Sequence, residues 1–448
     1  PLLAHLLPSF ASPSPLFRPS RQPVVTPDGA ACAMLAATIA PLAAGDALRY
    51  ADLANKRFNK RFSGKPEYIF LPTSITEVVE AVQDAVSNKK RPVVRSGGHC
   101  LEGFVSDPTA QVLIDTSLMT DIYYDTEKSA FAIEAGASVG EMYRRLFLGW
   151  GVMIPAGEHP GIGMGGHVLG GAFGFFCREY GLAADYLYAV EVVTVDASGK
   201  ADRVIATREA NDPNRELWWA HTGGGGGNFG IVTKYWFRTA DANGTDPKHA
   251  LPKAPASIST LRVTWEWKDL DETSFSGIAR NFGEWCRKNS RQDSPNTKLF
   301  STLFLNHRNL GKVELKGVCI GTNANQLFND HLNAIEKNLN IASTKQIDES
   351  SFLKFTLNPF PELFLPGFEG VHFKAKDAFL RQPFTDAQIA TIYKYVTVKA
   401  MVGGGIGMAT YGGKVGTMSP DATGSAQRDS ILDIASNTRW IDAAGEGP

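Results

Sequence analysis

The chain has 448 residues, with 45 basic and 46 acidic side chains and a formal net charge of −1. That balance lacks the basic field a polyanion requires and argues against nucleic acid as a partner. Hydrophobic residues make up 43%, including 26 Phe, 12 Tyr and 8 Trp, which excludes wholesale disorder and supplies more than one core.

No membrane span is read: the longest weakly charged run, His159 to Cys177, holds seven glycines and a proline, a poor helix in lipid. The five cysteines (32, 100, 177, 286 and 319) include no CxxC pair, so neither a disulfide scaffold nor a structural zinc site is expected, and no metal is assigned. The chain begins with Pro and its first Met is residue 34, so the start is read as missing or processed. Residues 31–44 fit either a secretory hydrophobic region or a loosely packed tail, leaving a secreted and a cytoplasmic location both open. The oligomeric state is not legible.

In chain order, residues 1–48 form a Pro/Ala/Ser-rich tail. Glu67 to Leu71 reads as a strand, and Ser74 to Glu77 as a capping box opening a helix striped by Ile75, Val78, Val79, Val82 and Val86. Pro92 to Arg95 is the next strand and completes a βαβ unit. Strands follow at Gln111 to Asp115 and Ala130 to Glu134, then a second capping box, Ser138 to Glu141, opens a helix ending near Gly149. Val190 to Val195, Val204 to Ile205 and Ile231 to Phe237 are strands. After Pro252 and Pro255 the texture changes to strands at Leu299–Leu305 and Val313–Gly321 among helices near 273–287, 325–339 and 385–399. The division is 49–240, a Gly-rich α+β half, and 241–448, an antiparallel sheet carrying helices.

Glycine clusters in three segments: Ser96-Gly97-Gly98-His99, Gly161 to Gly174, and Gly223 to Gly230. Each glycine costs roughly 0.5–1 kcal/mol against alanine in ordered structure. Their shared property is bare backbone N–H able to approach a polyanionic dinucleotide. Gly161-Ile162-Gly163-Met164-Gly165-Gly166 matches GxGxxG, with Asp185 lying 19 residues past Gly166. The Rossmann context fails, because Pro160 precedes the motif and Gly170, Gly171 and Gly174 interrupt any following helix.

Arg95-Ser96-Gly97-Gly98-His99-Cys100, Gly161 to His167 with Gly170-Gly171-x-Phe173-Gly174, Leu217-Trp218-Trp219, and Asn228 to Lys234 occur in that order. Together with Tyr411-Gly412-Gly413-Lys414 and Gln427-Arg428-Asp429, this resembles the berberine-bridge-enzyme-like FAD-linked oxidases of the vanillyl-alcohol oxidase superfamily. The resemblance runs from about Tyr50 to Arg439. It implies a PCMH-type, two-lobed FAD-binding domain and a substrate domain whose antiparallel sheet, covered by helices, faces the flavin.

It further implies an FAD bound covalently through His99, with Arg95, Ser96, Gly97, Gly98, Cys100, His159, Gly161, Gly163, Gly165, Gly166, His167, Phe173, Gly230, Ile231 and Val232 around the cofactor. The family's second attachment point, a cysteine, is His159 here, so a single link through His99 is expected. The family's active-site tyrosine in GGxYG is Phe173, which carries no proton. A second family tyrosine and the C-terminal return segment would lie past residue 448, so the segment is read as missing. The expected activity is hydride removal from an alcohol or sugar-like secondary metabolite, with O2 reduced to H2O2. The rivals are dehydrogenation or oxidative cyclisation of a polyketide or alkaloid, and a catalytically silent flavin-binding remnant. The base stays unassigned among Tyr180, Tyr411 and Glu266, with Asp185 and His372 also in view. Trp265 and Trp267 are read as an aromatic wall or as core.

Overall fold

The computed structural model describes residues 42–43, 47–242, 246–358, 372–399 and 404–440. Most of the tail therefore lies outside the described residues. Leu42–Ala43 (β1) joins Tyr68–Phe70 (β2), Pro92–Arg95 (β3) and Val112–Asp115 (β4) in a sheet of order β1-β2-β4-β3. β4 is parallel to both neighbours. The expected βαβ unit is thus split: β2 and β3 are joined through a helix but are separated by β4.

Ala47–Asn55 (α1) precedes β2, and Ile75–Ser87 (α2) links β2 to β3. Ser74 caps α2 by accepting from the Glu77 N–H at 3.3 Å. Glu77 closes the cap one residue early, accepting from the Thr73 N–H at 2.6 Å rather than from Ser74. Ala81 and Ala85 join Val78 and Val82 in the buried stripe, whereas Ile75, Val79 and Val86 flank it half-buried. Their small side chains let the helix approach the sheet, which an apolar count that favours large residues misses.

The second lobe is an antiparallel sheet, ordered β5-β6-β9-β7-β8, of Ile122–Asp125 (β5), Ala130–Glu134 (β6), Leu187–Val195 (β7), Ala201–Thr207 (β8) and Ile231–Phe237 (β9). Val139–Trp150 (α3) packs beside it. Ser138 caps α3, while Glu141 turns to Arg144 and Arg145 instead of back to the cap. The helix runs one residue past the expected Gly149 and stops at Gly151, whose φ of 73° is the left-handed geometry of a C-cap. Met164–His167 (α4), Cys177–Tyr180 (α5) and Arg215–Ala220 (α6) are short.

The large antiparallel sheet has the order β13-β10-β12-β11-β15-β16-β14. It comprises Ser257–Glu266 (β10), Leu299–Asn306 (β11), Lys312–Ile320 (β12), Thr344–Ser351 (β13), His372–Leu380 (β14), Gly405–Thr410 (β15) and Leu432–Trp440 (β16). Glu272–Asn289 (α7), Ala324–Ile335 (α8), Phe352–Leu357 (α9) and Asp386–Val396 (α10) accompany it. Side chains alternate across a strand, so each strand contributes to both faces. Leu261, Val263, Trp265, Leu303, Leu315, Met408, Leu432 and Ile434 share one apolar core with α7, α8 and α10. The opposite face carries Ile258, Phe300, Val318, Ala409 and Phe379, which join the core of the second lobe.

That second core crosses the expected division near residue 240. Phe352 of α9 packs on Tyr143, Phe147 and Phe176 with ring centroids 5.6, 5.2 and 6.0 Å apart. The face of the large sheet opposite α7, α8 and α10 is therefore held against the Gly-rich loops, and the candidate site lies where they meet.

Candidate active site

Arg95 anchors the first Gly-rich loop from below. Its guanidinium meets Asp115 at 2.7 Å from Nε and 2.6 Å from Nη2, and both side chains are buried. Nη1 donates to the carbonyls of Leu53 and Lys56 at 2.6 and 3.0 Å. The charge expected to face the cofactor is thus spent inside the fold. Ser96 is likewise committed: its hydroxyl donates to the Ala135 carbonyl at 2.6 Å.

The glycines divide into two groups. A Cβ on Gly97 would lie 2.3 Å from the Gly163 nitrogen, and one on Gly163 would lie 1.9 Å from Ser96 Oγ. A Cβ on Gly165 would meet the Ala135 carbonyl at 2.8 Å, and one on Gly230 the Val193 carbonyl at 2.6 Å. These positions are bare so that backbone can pack on backbone. Gly223 and Gly171 are used in the same way by Ser425, whose Oγ would lie 2.1 and 2.3 Å from their Cβ atoms. The reading of every cluster as ligand-facing amide is corrected to that extent. Gly161, Gly166 and Gly170 form the other group and are exposed, with nothing within 4 Å of a Cβ on Gly166 or Gly170.

These features form a cradle suited to a dinucleotide. The N–H groups of Gly97, Gly98 and His99 meet no acceptor among the described residues, and Gly98 has a φ of 79°. Successive free amides at such a turn make an anion-binding nest. His167 Nε2 is buried without a partner. Ile231, half-buried, and Val232, buried, open β9 along β7. The residues present fit FAD.

His99 stands at the cradle's rim. Its ring stacks on Phe58 with centroids 4.8 Å apart and lies 4.7 Å from the His159 ring. Nε2 would be 3.1 Å from a Cβ on Gly161. Burial, then the neighbouring His159, lowers its pKa to about 4, so the imidazole is neutral at physiological pH. Burial also lowers His167 to about 4. His159 Nδ1 accepts from the Gly161 N–H at 3.0 Å. Cys100 is a half-buried free thiol beside His99.

Above this floor runs the same face of the large sheet, at β14, β16 and β15. Phe373 meets Phe58 edge-on at 5.7 Å. Farther along β14, Phe379 meets Phe173 at 6.1 Å and Tyr411 at 4.9 Å, and Phe173 meets Tyr411 at 5.8 Å. Tyr411 is buried; its hydroxyl lies near the Gln427 amide but closes no hydrogen bond, and burial raises its pKa.

The other proposed bases lie elsewhere. Asp185 is paired with Arg428 at 2.7 Å and accepts from the Leu182 N–H at 2.9 Å, a structural role. His372 points to the opposite face of β14 from Phe373 and Phe379, where it stacks on Trp440 at 6.0 Å. Tyr180 lies in α5, its phenol raised by burial and by Glu179. Glu266 ends β10 exposed, opposite Lys312 at the sheet margin. Trp265 and Trp267 are core: their indoles donate to Glu336 and to the Asn306 carbonyl at 2.9 and 3.1 Å.

Sequence reasoning missed three carboxyl groups. Glu158 precedes His159 in the floor, while Asp433 of β16 and Asp377 of β14 lie on the roof. Asp433 is in register with Phe379 and Ala409. An acidic residue between Leu432 and Ile434 in an apolar strand was the available signal. Glu158 is half-buried, yet its carboxyl is enclosed; burial, then Asp433, raises its pKa to about 8. Burial, then Asp377, raises Asp433 to about 7. Asp377 is also raised, chiefly by burial.

Comparison with known proteins bears on this cradle. Residues 66–203 match the family described as an FAD binding domain. The aclacinomycin-N/aclacinomycin-A oxidase of Streptomyces galilaeus is 47% identical over 401 residues, covering 88% of this chain and 72% of that protein. The crystal structure of aclacinomycin oxidoreductase superposes with a TM-score of 0.85 at 46% identity, covering 89% of this chain and 81% of the other. A glycopeptide hexose oxidase complexed with teicoplanin gives a TM-score of 0.86 at 40% identity, covering 91% and 82%. Among the described residues, no helix is long and apolar enough to cross a membrane.

Proposed function

This chain belongs to the berberine-bridge-enzyme-like family of FAD-linked oxidases, and from that premise we propose that it oxidises an alcohol on a sugar-like or other secondary metabolite, with O2 reduced to H2O2. Its fold is the α+β, PCMH-type architecture of that family, and FAD is its cofactor. In this reading residues 49–240 form the FAD-binding domain and 241–448 the substrate domain. The observation that carries it is the neutral His99 imidazole beside the exposed Gly161, beneath the partly polar roof of β14–β16.

Bound FAD supplies the hydride acceptor and delivers the two electrons to O2. The chain's part is to hold it: the amides of Gly97, Gly98 and His99 with the exposed Gly161, Gly166 and Gly170 cradle the cofactor. A neutral imidazole is a competent nucleophile, which supports a covalent link through His99. His159 has no thiol, which supports a single link. Proteolysis is expected to give one flavin-bearing peptide, containing His99. A second flavin-bearing peptide, containing His159, would overturn the single link.

Oxidative cyclisation or dehydrogenation on the same cofactor is the second reading, favoured by Phe173, which packs against Tyr411 and exchanges no proton. Anaerobic mixing with a panel of glycosides, hydroxylated polyketides and alkaloids tests both. Bleaching of the flavin by alcohols, followed by H2O2 on admitting O2, is the expected result. Bleaching only by substrates that yield ring-closed products would move the assignment to the second reading.

A further inference from the structure

The roof and floor meet at two carboxyl groups that the family resemblance does not assign. Strand alternation puts Asp377, Phe379, Asp433, Ala409 and Tyr411 on the face opposite α7, α8 and α10, since Phe379 and Ala409 are the register partners of Asp433. The floor reaches the same place from below. Segment 156–157 lies against Gly174, where a Cβ would come within 2.3 Å of the Ala156 carbonyl. Tyr143 fixes that segment by donating to the Ala156 carbonyl at 2.9 Å. The adjacent residue, Phe173, sits edge-on to Phe379. Asp433 thus lies beside the Phe173–Phe379 contact, and Glu158, two residues on from Ala156, is close enough to feel its charge.

We propose that Glu158 and Asp433 share one proton across this cleft, and that the ionised member is the base that takes the substrate's hydroxyl proton. The role is one that Phe173 cannot fill. A second observation points to a ligand here: the Tyr411 hydroxyl, fully buried on the same face and near the Gln427 amide, closes no hydrogen bond among the described residues.

The electrostatic surroundings are consistent. Asp377 from β14, the Cys177 thiol from α5, the Tyr143 hydroxyl from α3 and Tyr411 face the pair, and none brings positive charge. The nearby cations are engaged, Arg428 by Asp185, Lys376 by Glu102, and Arg178 by the carbonyls of Tyr411, Asn289 and Asn296. Among the described residues, the one donor to Asp433 is the Ile434 N–H. Like charges in a desolvated cleft resist ionising together: burial and the Asp433 charge hold the Glu158 proton on to about 8, and burial and the Asp377 charge hold that of Asp433 to about 7. Among the described residues, no group of three acidic, His or Cys side chains forms a metal-ligand set.

The step balances. The substrate O–H bond breaks as a carboxyl O–H bond forms, the carbinol C–H pair leaves as hydride to the FAD, and the carbon becomes a carbonyl. Two electrons leave the substrate, and O2 later accepts them.

This inference rests on the oxidase reading, and its test separates the two. Asp433→Asn, Glu158→Gln and the double variant are compared with the parent at matched flavin content. Infrared difference titration without substrate reads the shared proton directly. A protonated carboxyl band titrating near pH 7–8 is expected in the parent, titrating lower in Asp433→Asn and missing in the double variant. Anaerobic reduction by the best alcohol is expected to slow by about 10²–10⁴-fold in Asp433→Asn, with the parent's rise near neutral pH displaced. Carboxyls that titrate at ordinary values, or single and double variants that reduce as fast as the parent with its pH profile, would overturn the proposal. If no alcohol bleaches the parent, the oxidase reading and the base role fall together, while the infrared titration still decides whether the pair shares a proton.

Discussion

Asp115→Asn is expected to destabilise the protein by roughly 3–5 kcal/mol, because it leaves the Arg95 guanidinium charged and unpaired in the interior. Asp115 is fully buried; its second oxygen accepts from the Ser117 N–H at 2.9 Å while the first holds Arg95. The pair sits at the ends of β3 and β4, where Arg95 and Asp115 are in parallel register. Four residues on, His99 takes its position from this anchor, so flavin content should fall together with stability. The double variant Arg95→Met/Asp115→Leu removes both charges and should recover most of the loss. Urea denaturation of all three proteins provides the check. An Asp115→Asn variant within about 1 kcal/mol of the parent would show the pair to be dispensable.

The second large effect is a pH dependence. Burial raises the Glu158 carboxyl from its ordinary value of 4.5 to about 8. The neutral acid is the form the fold accommodates. Its stabilisation is complete below pH 4.5 and is lost as pH rises through about 8. Gln cannot ionise, so Glu158→Gln should match the parent at pH 5 and exceed it at pH 9 by roughly 3–5 kcal/mol, at ~1.4 kcal/mol per pKa unit. Denaturation at the two pH values measures this. A difference that is the same at both would mean that Glu158 ionises freely in the folded protein.

Both effects concern residues whose meaning is only partly local. The strands of the front half were legible because Val112 to Ile114 and Val190 to Val193 are near-continuous apolar runs, and Ser74 and Ser138 announce their helices. The His99 loop was legible as a motif. The role of Arg95 was not, because its partner, Asp115, is brought alongside by strand pairing that no periodicity specifies. The same holds for Gly97 and Gly163, which look identical to ligand-facing glycines until the two loops are seen in contact. β14 and β16 escaped notice since one face carries Asp377, Asp433 and Asn437, which dilutes the apolar alternation. That dilution is the signature of a roof over a polar site. Glu158 and Asp433, distant in sequence, acquire their perturbed acidity from enclosure, with Asp433 acting on Glu158 and Asp377 on Asp433.

The account depends most directly on the Gly-rich cradle holding FAD through His99. Acid precipitation of the purified protein, followed by visible absorption spectra of pellet and supernatant, tests this. A yellow pellet from the parent, with the colour passing to the supernatant in His99→Ala, is the expected result. A parent protein that is colourless and takes up no added FAD, or whose colour leaves wholly with the supernatant, would contradict it.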